Sequence, residues 1–107
     1  MKIVLLAGAE QDLIELRRYV LKNFGRHAWN SSYLQIKTAI RSLRDFPLGG
    51  AIPDEVSELQ IGQFRQVIAG MNRIVYEVLG DTVYIHIICD TRRQLRSILA
   101  RRLLRAK

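Results

Sequence analysis

Three closely spaced apolar runs constrain the fold most: residues 63–69 (QFRQVIA), 73–79 (RIVYEVL) and 82–89 (TVYIHIIC). Each is rich in the β-branched and aromatic residues that suit a pleated, half-buried strand. Only Gly70–Met71–Asn72 separates the first two, and only Gly80–Asp81 the last two. A two-residue link with a glycine able to take positive φ is a hairpin turn. Strands joined this tightly must pair antiparallel, because a parallel crossover needs a dozen residues or more. The third run is apolar at nearly every position, which predicts a central strand covered on both faces.

Upstream, residues 2–7 read as a first strand that stops at Gly8. The apolar stretch Ile3 to Ala7 is too short for a secretory leader and is followed at once by Glu10 and Asp12. A lone Gly8 without further glycines or a GKS sequence is a weak nucleotide-binding signal. Leu13, Leu16, Val20 and Phe24 recur at helical spacing, and Gly25 follows as a stop, giving a first amphipathic helix over residues 10–24. Trp29, Tyr33, Ile36, Ile40 and Leu43 mark a second helix, from about 29 to 45 and ended by Pro47, with Arg26 and His27 in the link. Two helices so connected form an antiparallel hairpin. Residues 46–61 hold both prolines and two adjacent glycines and read as an irregular crossing loop. After the strands, Asp90–Thr91 offers an N-cap to a last helix. The expected fold is therefore α+β, ordered β-α-α-β-β-β-α. A helical hairpin packs on a small, mainly antiparallel sheet, and the C-terminal helix lies at an edge or on the other face.

A chain of 107 residues fits one domain, residues 1–107, able to hold a core without staples. The lone Cys89 lies in an apolar run, which favours a buried thiol and a reducing, cytoplasmic location. No stretch approaches the roughly 18 apolar residues of a membrane span, so no membrane partner is expected. His27 has no ligand-spaced neighbour, and neither metal nor cofactor is expected. The formal charge of +7 comes entirely from residues 91–107, TRRQLRSILARRLLRAK, because residues 1–90 balance. That segment also carries Leu95, Ile98, Leu99 and Leu103 as an apolar stripe needing something to pack on.

Ordered matches extend over nearly the whole chain. They are Ala9, Asp12, Leu13, Glu15, Leu16 and Tyr19 in the first helix, and Leu43, Phe46, Pro47, Gly49, Gly50 and Pro53 in the connection. A third set is Arg65, Gly70, Arg73, Ile74, Tyr76, Val83, Asp90, Arg92, Arg93 and Leu95 in FRQVIAGMNRIVYEVLGDTVYIHIICDTRRQL. In these the sequence resembles the RelE/ParE superfamily of toxins from bacterial type II toxin–antitoxin systems, closest to its ParE-like branch. The resemblance implies a small toxin held inactive by a ParD-like antitoxin whose acidic amphipathic segment packs into an apolar groove. ParE-like relatives poison DNA gyrase without a recognised catalytic centre, whereas RelE-like relatives cleave mRNA in the ribosome.

Ribonuclease chemistry needs a group to take the 2′-hydroxyl proton, another to protonate the leaving oxygen, and cations for the phosphorane. Where RelE relatives often place Tyr or His-Tyr after the last strand, this chain has Asp90–Thr91–Arg92–Arg93, and Tyr84 and His86 precede that point inside a strand. The paired strand lysines of some nucleolytic relatives are missing, since no lysine lies between Lys37 and Lys107. For His86 a hydrogen-bonded core position is the competing reading. Arg73 alternates with Ile74, Tyr76 and Val78; if those three face the helical hairpin, Arg73 lies on the sheet's other, concave or exposed face, where Arg65 is a candidate to join it, the alternative being that both arginines pair with Glu58, Glu77 or Asp90 as surface ion pairs. Target binding is accordingly expected at Arg65, Arg73, Arg92, Arg93 and Arg96. Leu95, Ile98, Leu99 and Leu103 belong either to the fold or to the antitoxin contact. Arg101, Arg102, Arg105 and Lys107 are explained in part by helix dipole and solubility. The expected activity is inhibition by protein–protein contact, most directly with gyrase. A ribosome-dependent endoribonuclease is the alternative, and a small basic nucleic-acid-binding module is the third reading, disfavoured because the tail lacks aromatics among its cations.

Overall fold

The computed structural model describes residues 1–59 and 64–105, without the side chains of 57–59 and 103–105. Its elements are β1 (Lys2–Leu5), α1 (Ala7–Ser42), α2 (Asp54–Leu59), β2 (Arg65–Ala69), β3 (Asn72–Leu79), β4 (Thr82–Asp90) and α3 (Leu95–Arg105). Gln63, the expected start of the second strand, lies outside the described residues, as does Lys107.

The strands form one sheet in the order β1-β4-β3-β2. β1 runs parallel to β4, and the other pairs are antiparallel. The α+β class and element order are those expected, with β4 central. Gly70 and Gly80 supply the positive φ of the two tight turns, at 63° and 60°.

α1 holds both arms of the expected hairpin. A straight helix of 36 residues would run about 54 Å, longer than the molecule's largest extent of 38 Å. The chain folds back at Gly25, whose φ of 89° and ψ of 177° interrupt the helical backbone. That region is essentially closed to residues with a Cβ. Arg26 and His27, expected in a link, are already helical, so the reversal rests on one residue. Leu13 of the first arm and Ile36 and Ile40 of the second consequently meet over the same face of the sheet.

The sheet separates two cores. Ile74, Tyr76, Val83, Ile85 and Ile88 pack with Ala9, Ile36 and Leu43 under α1. Val75, Ile87 and Cys89 pack on the opposite face with Val56, Phe64, Leu95, Ile98 and Leu99. The second core exists because residues 54–59, expected as loop, form a helix that docks Val56, 2% exposed, beside α3. A β-bulge explains the division within β4. Tyr76 opposes Ile85 while Val75 opposes Ile87, leaving His86 as the extra residue. The extra residue inverts the alternation, so Ile88 faces α1 and not, as simple alternation implied, the side of Tyr84 and His86.

Candidate functional site

The site is the turn from β4 into α3 and the cleft beside it. Asp90 and Thr91 do not cap α3, which begins later, at Leu95. Asp90 instead folds the turn upon itself. Its Oδ1 accepts from the Arg92 backbone N–H at 2.8 Å and from Arg92 Nε at 2.9 Å, and its Oδ2 accepts from Arg92 Nη2 at 2.9 Å. Aspartate readily closes a turn two residues on in this way. Hydrogen bonding from Arg92 holds the Asp90 carboxyl below the usual carboxylate range, and Asp90 in turn raises Arg92. Two further backbone donors of the turn are occupied: Thr91 N–H donates to Met71 O at 2.9 Å and Arg93 N–H to Asp90 O at 3.1 Å.

Arg73 completes the clamp from beneath. β3 places it on the face away from α1, as alternation required, but that face is covered by α2 and α3 and is not open. Arg73 is only 8% exposed. Its Nη2 donates to Thr91 O at 3.0 Å and Arg93 O at 2.9 Å, and its Nη1 to Glu55 and Gln66, each at 3.3 Å. The guanidinium therefore holds the carbonyls of the turn that exposes Arg92 and Arg93. Its geometry is that of a positioning group: Arg73 is on the expected face of the sheet, but covered there and not exposed.

Arg65 does not join Arg73. It pairs with Tyr76 across β2 and β3 and shares that residue's face. Its Nη1 donates to Gly50 O at 2.9 Å and Leu48 O at 3.3 Å, while Gly50 N–H donates to the buried Tyr76 hydroxyl at 2.9 Å. A Cβ on Gly50 would meet the Tyr76 hydroxyl at 2.6 Å, so only glycine brings the loop this close. Arg65 thus fastens the connection before α2.

Arg92 and Arg93 are exposed on the turn and Arg96 on the first turn of α3. They differ from Arg102, assigned by the sequence to a solvated end. Arg102 pairs with Asp12 of α1 and donates to His86 O at 2.7 Å, while Asp12 Oδ2 accepts from Ile88 N–H at 3.0 Å. These groups of β4 lie beyond the last pairing of β1, at Leu5 and Ile85, and a buried backbone group without a strand partner needs a side chain. The unequal lengths of β1 and β4 were the available signal for this bridge.

Leu95, Ile98 and Leu99, at 0%, 4% and 1% exposure, are buried against the sheet. Of the two readings for this stripe, their burial in the second core is that of residues belonging to the fold. The Leu103 side chain lies outside the described residues.

Between the turn and the first arm of α1 is a cleft of about 400 Å³. Leu16 and Ile88 give it apolar lining, Tyr19, Asp12 and Glu15 come from α1, and Arg92 and Arg93 from the turn. Cys89 also borders it, and burial pushes its thiol up despite the nearby Arg73 and Arg93. His86 stands apart from these lining residues. Its Nε2 lies 3.2 Å from Glu77 Oε1 and its ring edge meets Phe64. Burial lowers its pKa, outweighing the Glu77 hydrogen bond. Among the described residues no group of His, Cys, Asp or Glu could hold a metal ion, and no helix is long and apolar enough to cross a membrane.

Comparison with known proteins bears on this architecture. One solved structure, the chromosomal ParDE TA system from P. aeruginosa, matches with a TM-score of 0.69 at 17% identity, covering 84% of this chain and 95% of that one. This is a likeness of fold. No curated protein sequence matches significantly. The family model for the ParE toxin of the type II toxin–antitoxin system parDE matches residues 3–95, from β1 to the first residue of α3. The chain therefore belongs to the ParE toxin family of type II toxin–antitoxin systems.

Proposed function

We propose that this toxin arrests growth in the cytoplasm by protein–protein contact, with DNA gyrase as its target, and that a cognate ParD-like antitoxin neutralises it. The observation that carries the reading is the clamped turn: Arg92 and Arg93 are held at the rim of an apolar-floored cleft by Asp90 and by the buried Arg73. Arginine and tyrosine beside a desolvated pocket are the side chains that dominate binding energy at protein interfaces. In this proposal Arg92, Arg93 and Arg96 contact the target, Arg73 positions them, and Arg65 supports the scaffold. Engagement of His86 with Glu77 and Phe64, outside the cleft lining, supports contact over ribosome-dependent mRNA cleavage.

The test is expression of the toxin followed by recovery of gyrase cleavage complexes and mapping of mRNA ends. Trapped gyrase on DNA with intact mRNA is expected, and replacing Arg92, Arg93 and Arg96 together by alanine should abolish the arrest with little loss of stability. Cut mRNA without trapped gyrase would refute the contact reading.

A further inference from the structure

The helical hairpin carries a charge of its own, which the neutral sum over residues 1–90 conceals. Residues 16–44, nearly all of them in α1, hold seven Lys and Arg and no Asp or Glu. Four of these cations, Arg17, Arg18, Lys22 and Arg26, flank the reversal at Gly25 and are exposed. Among the described residues none of the four makes a side-chain hydrogen bond or ion pair. Glu15, the nearest acid before them in sequence, accepts from Gln11 Nε2 at 3.2 Å instead. Arg18 and Lys22 stand one helical turn apart, where like charges repel. The free protein retains that repulsion, and an anionic polymer laid across the tip relieves it.

Two aromatic rings stand among these cations. Tyr19 is 57% and Phe24 66% exposed. Their centroids lie 6.1 Å apart at 62°, an edge-on contact that holds the pair together and leaves most of both rings in water. The sequence pattern put Phe24 on the apolar stripe of its arm, but the fold leaves it outside both cores. Exposed apolar surface that the core does not use marks a contact site. Cations alone suit any anion. Rings interleaved with cations suit unpaired bases, which stack on the rings while their phosphates meet the charges. A duplex hides its base faces, and an acidic peptide has none to offer. The C-terminal segment holds cations without rings; the hairpin tip has both. The tip is also continuous with the site already described, because Tyr19 lines the cleft beside Arg92 and Arg93.

We propose that the tip of the helical hairpin is a second binding surface and that it takes single-stranded DNA, with bases stacking on Phe24 and Tyr19 and phosphates meeting Arg17, Arg18, Lys22 and Arg26. The chemistry of stacking and charge is common to any unpaired strand. The assignment to DNA rests on the gyrase reading, in which the strand beside the toxin is the substrate of the enzyme it contacts. The turn at Arg92 and Arg93 then holds the enzyme while the tip holds its DNA.

The test is fluorescence anisotropy of the full-length toxin with four fluorescein-labelled probes of about 15 units over a range of salt: single-stranded DNA, RNA of the same sequence, the DNA duplex, and oligoglutamate. F24A removes no charge, so purely electrostatic adherence leaves it unchanged. It should weaken binding of the single-stranded DNA at least about fivefold, the lower end for loss of one stacked base. R18A/K22A should weaken it as well and reduce the slope of log K against log salt by about 1.4, for two phosphate contacts to a single strand. Both variants change exposed side chains, and thermal melts establish that they fold. The proposal is overturned if folded F24A binds the DNA like the wild type, if R18A/K22A keeps the wild-type salt slope, or if the duplex or oligoglutamate binds as tightly as the single strand. RNA bound more tightly than DNA would overturn the assignment to DNA. Single-stranded DNA binding that depends on Phe24, in a toxin that traps no gyrase, would leave the surface assigned and remove the gyrase reading instead.

Discussion

Replacing Arg73 by methionine keeps a long apolar stem of similar volume and deletes only the guanidinium, so it isolates what that group does for the β4–α3 turn. The guanidinium makes two short hydrogen bonds to the carbonyls of Thr91 and Arg93, at 3.0 and 2.9 Å, and two longer ones at 3.3 Å to Glu55 and Gln66. Hydrogen bonds from a charged donor are worth about 1.5–3 kcal/mol each. Two effects reduce the sum. Glu55 is 32% exposed and can rehydrate, and Arg73 Nε is buried without an acceptor, a cost that methionine removes. A net loss of about 2–4 kcal/mol is expected, overlapping the lower part of the roughly 3–5 kcal/mol for breaking a fully buried ion pair from one side. At this size it corresponds to a fall in Tm on the order of 15 °C. Urea denaturation should show a lower midpoint at unchanged slope, and hydrogen exchange should accelerate at the Thr91, Arg92 and Arg93 amides. Arg73→Lys tests geometry against charge, because one ammonium lacks the planar fork that spans both carbonyls; it should recover less than half of the loss. An Arg73→Met protein within 0.5 kcal/mol of wild type, with those amides still protected, would show that the turn does not depend on Arg73.

Three further outcomes are expected. Gly25→Ala meets no atom within 4 Å of its new Cβ, so its cost is backbone strain alone, about 1–3 kcal/mol; a neutral thermal melt would contradict a one-residue reversal in α1. Asp12→Ala strips the partner from Arg102 and the acceptor from Ile88 N–H and should cost about 2–4 kcal/mol, with faster amide exchange at Ile88; an unchanged urea midpoint would dismiss the bridge between α1, β4 and α3. Burial depresses the folded-state pKa of His86 against the raising effect of Glu77, while Arg102 lowers it further. Protonation then favours the unfolded chain: this contribution is fully present above about pH 6.5 and is lost as pH falls through the folded pKa. His86→Gln should flatten stability between pH 6.5 and 5, and equal slopes for the two proteins would reject the assignment.

The hairpins were legible because Gly70 and Gly80 mark turns by a local property, positive φ, that needs no tertiary context. Gly25 was legible as a helix stop for the same reason. Residues 54–59 were not, although Pro53 precedes them and Asp54 and Glu55 favour a first helical turn. A helix of six residues is not stable by itself, and what holds it is Val56 in the second core, a contact with distant residues. Alternation in β3 placed Arg73 on the correct face, but period alone cannot say what covers a face. The bulge at His86 is a pairing event between two strands, and nothing in VYIHIIC marks which residue will be extra. The candidate site suffered most from this limit. Arg92 and Arg93 were named as candidates through charge and resemblance, whereas the contacts of Arg73, Arg65 and Arg102 depend on acceptors 15 or more residues away.

The same contacts explain how a segment carrying all the net charge can be part of a compact fold. α3 is attached on three sides: by Leu95, Ile98 and Leu99 in the second core, by Arg102 on Asp12, and by Arg73 under the turn at its start. Each buried leucine or isoleucine contributes about 1.5–3 kcal/mol, enough to hold a helix whose cations repel one another. Asp90 and Asp12 each neutralise one arginine locally, so among the described side chains the remaining cations of this segment are placed at defined points on the turn and on α3. That order has a consequence for binding. Immobilising a long side chain on association costs conformational entropy, and at Arg92 the pairing with Asp90 reduces that cost beforehand. An Asp90→Ala toxin should therefore bind its target more weakly even though no target contact is removed, and the loss should shrink in an Arg92→Ala background, where there is no guanidinium left to order.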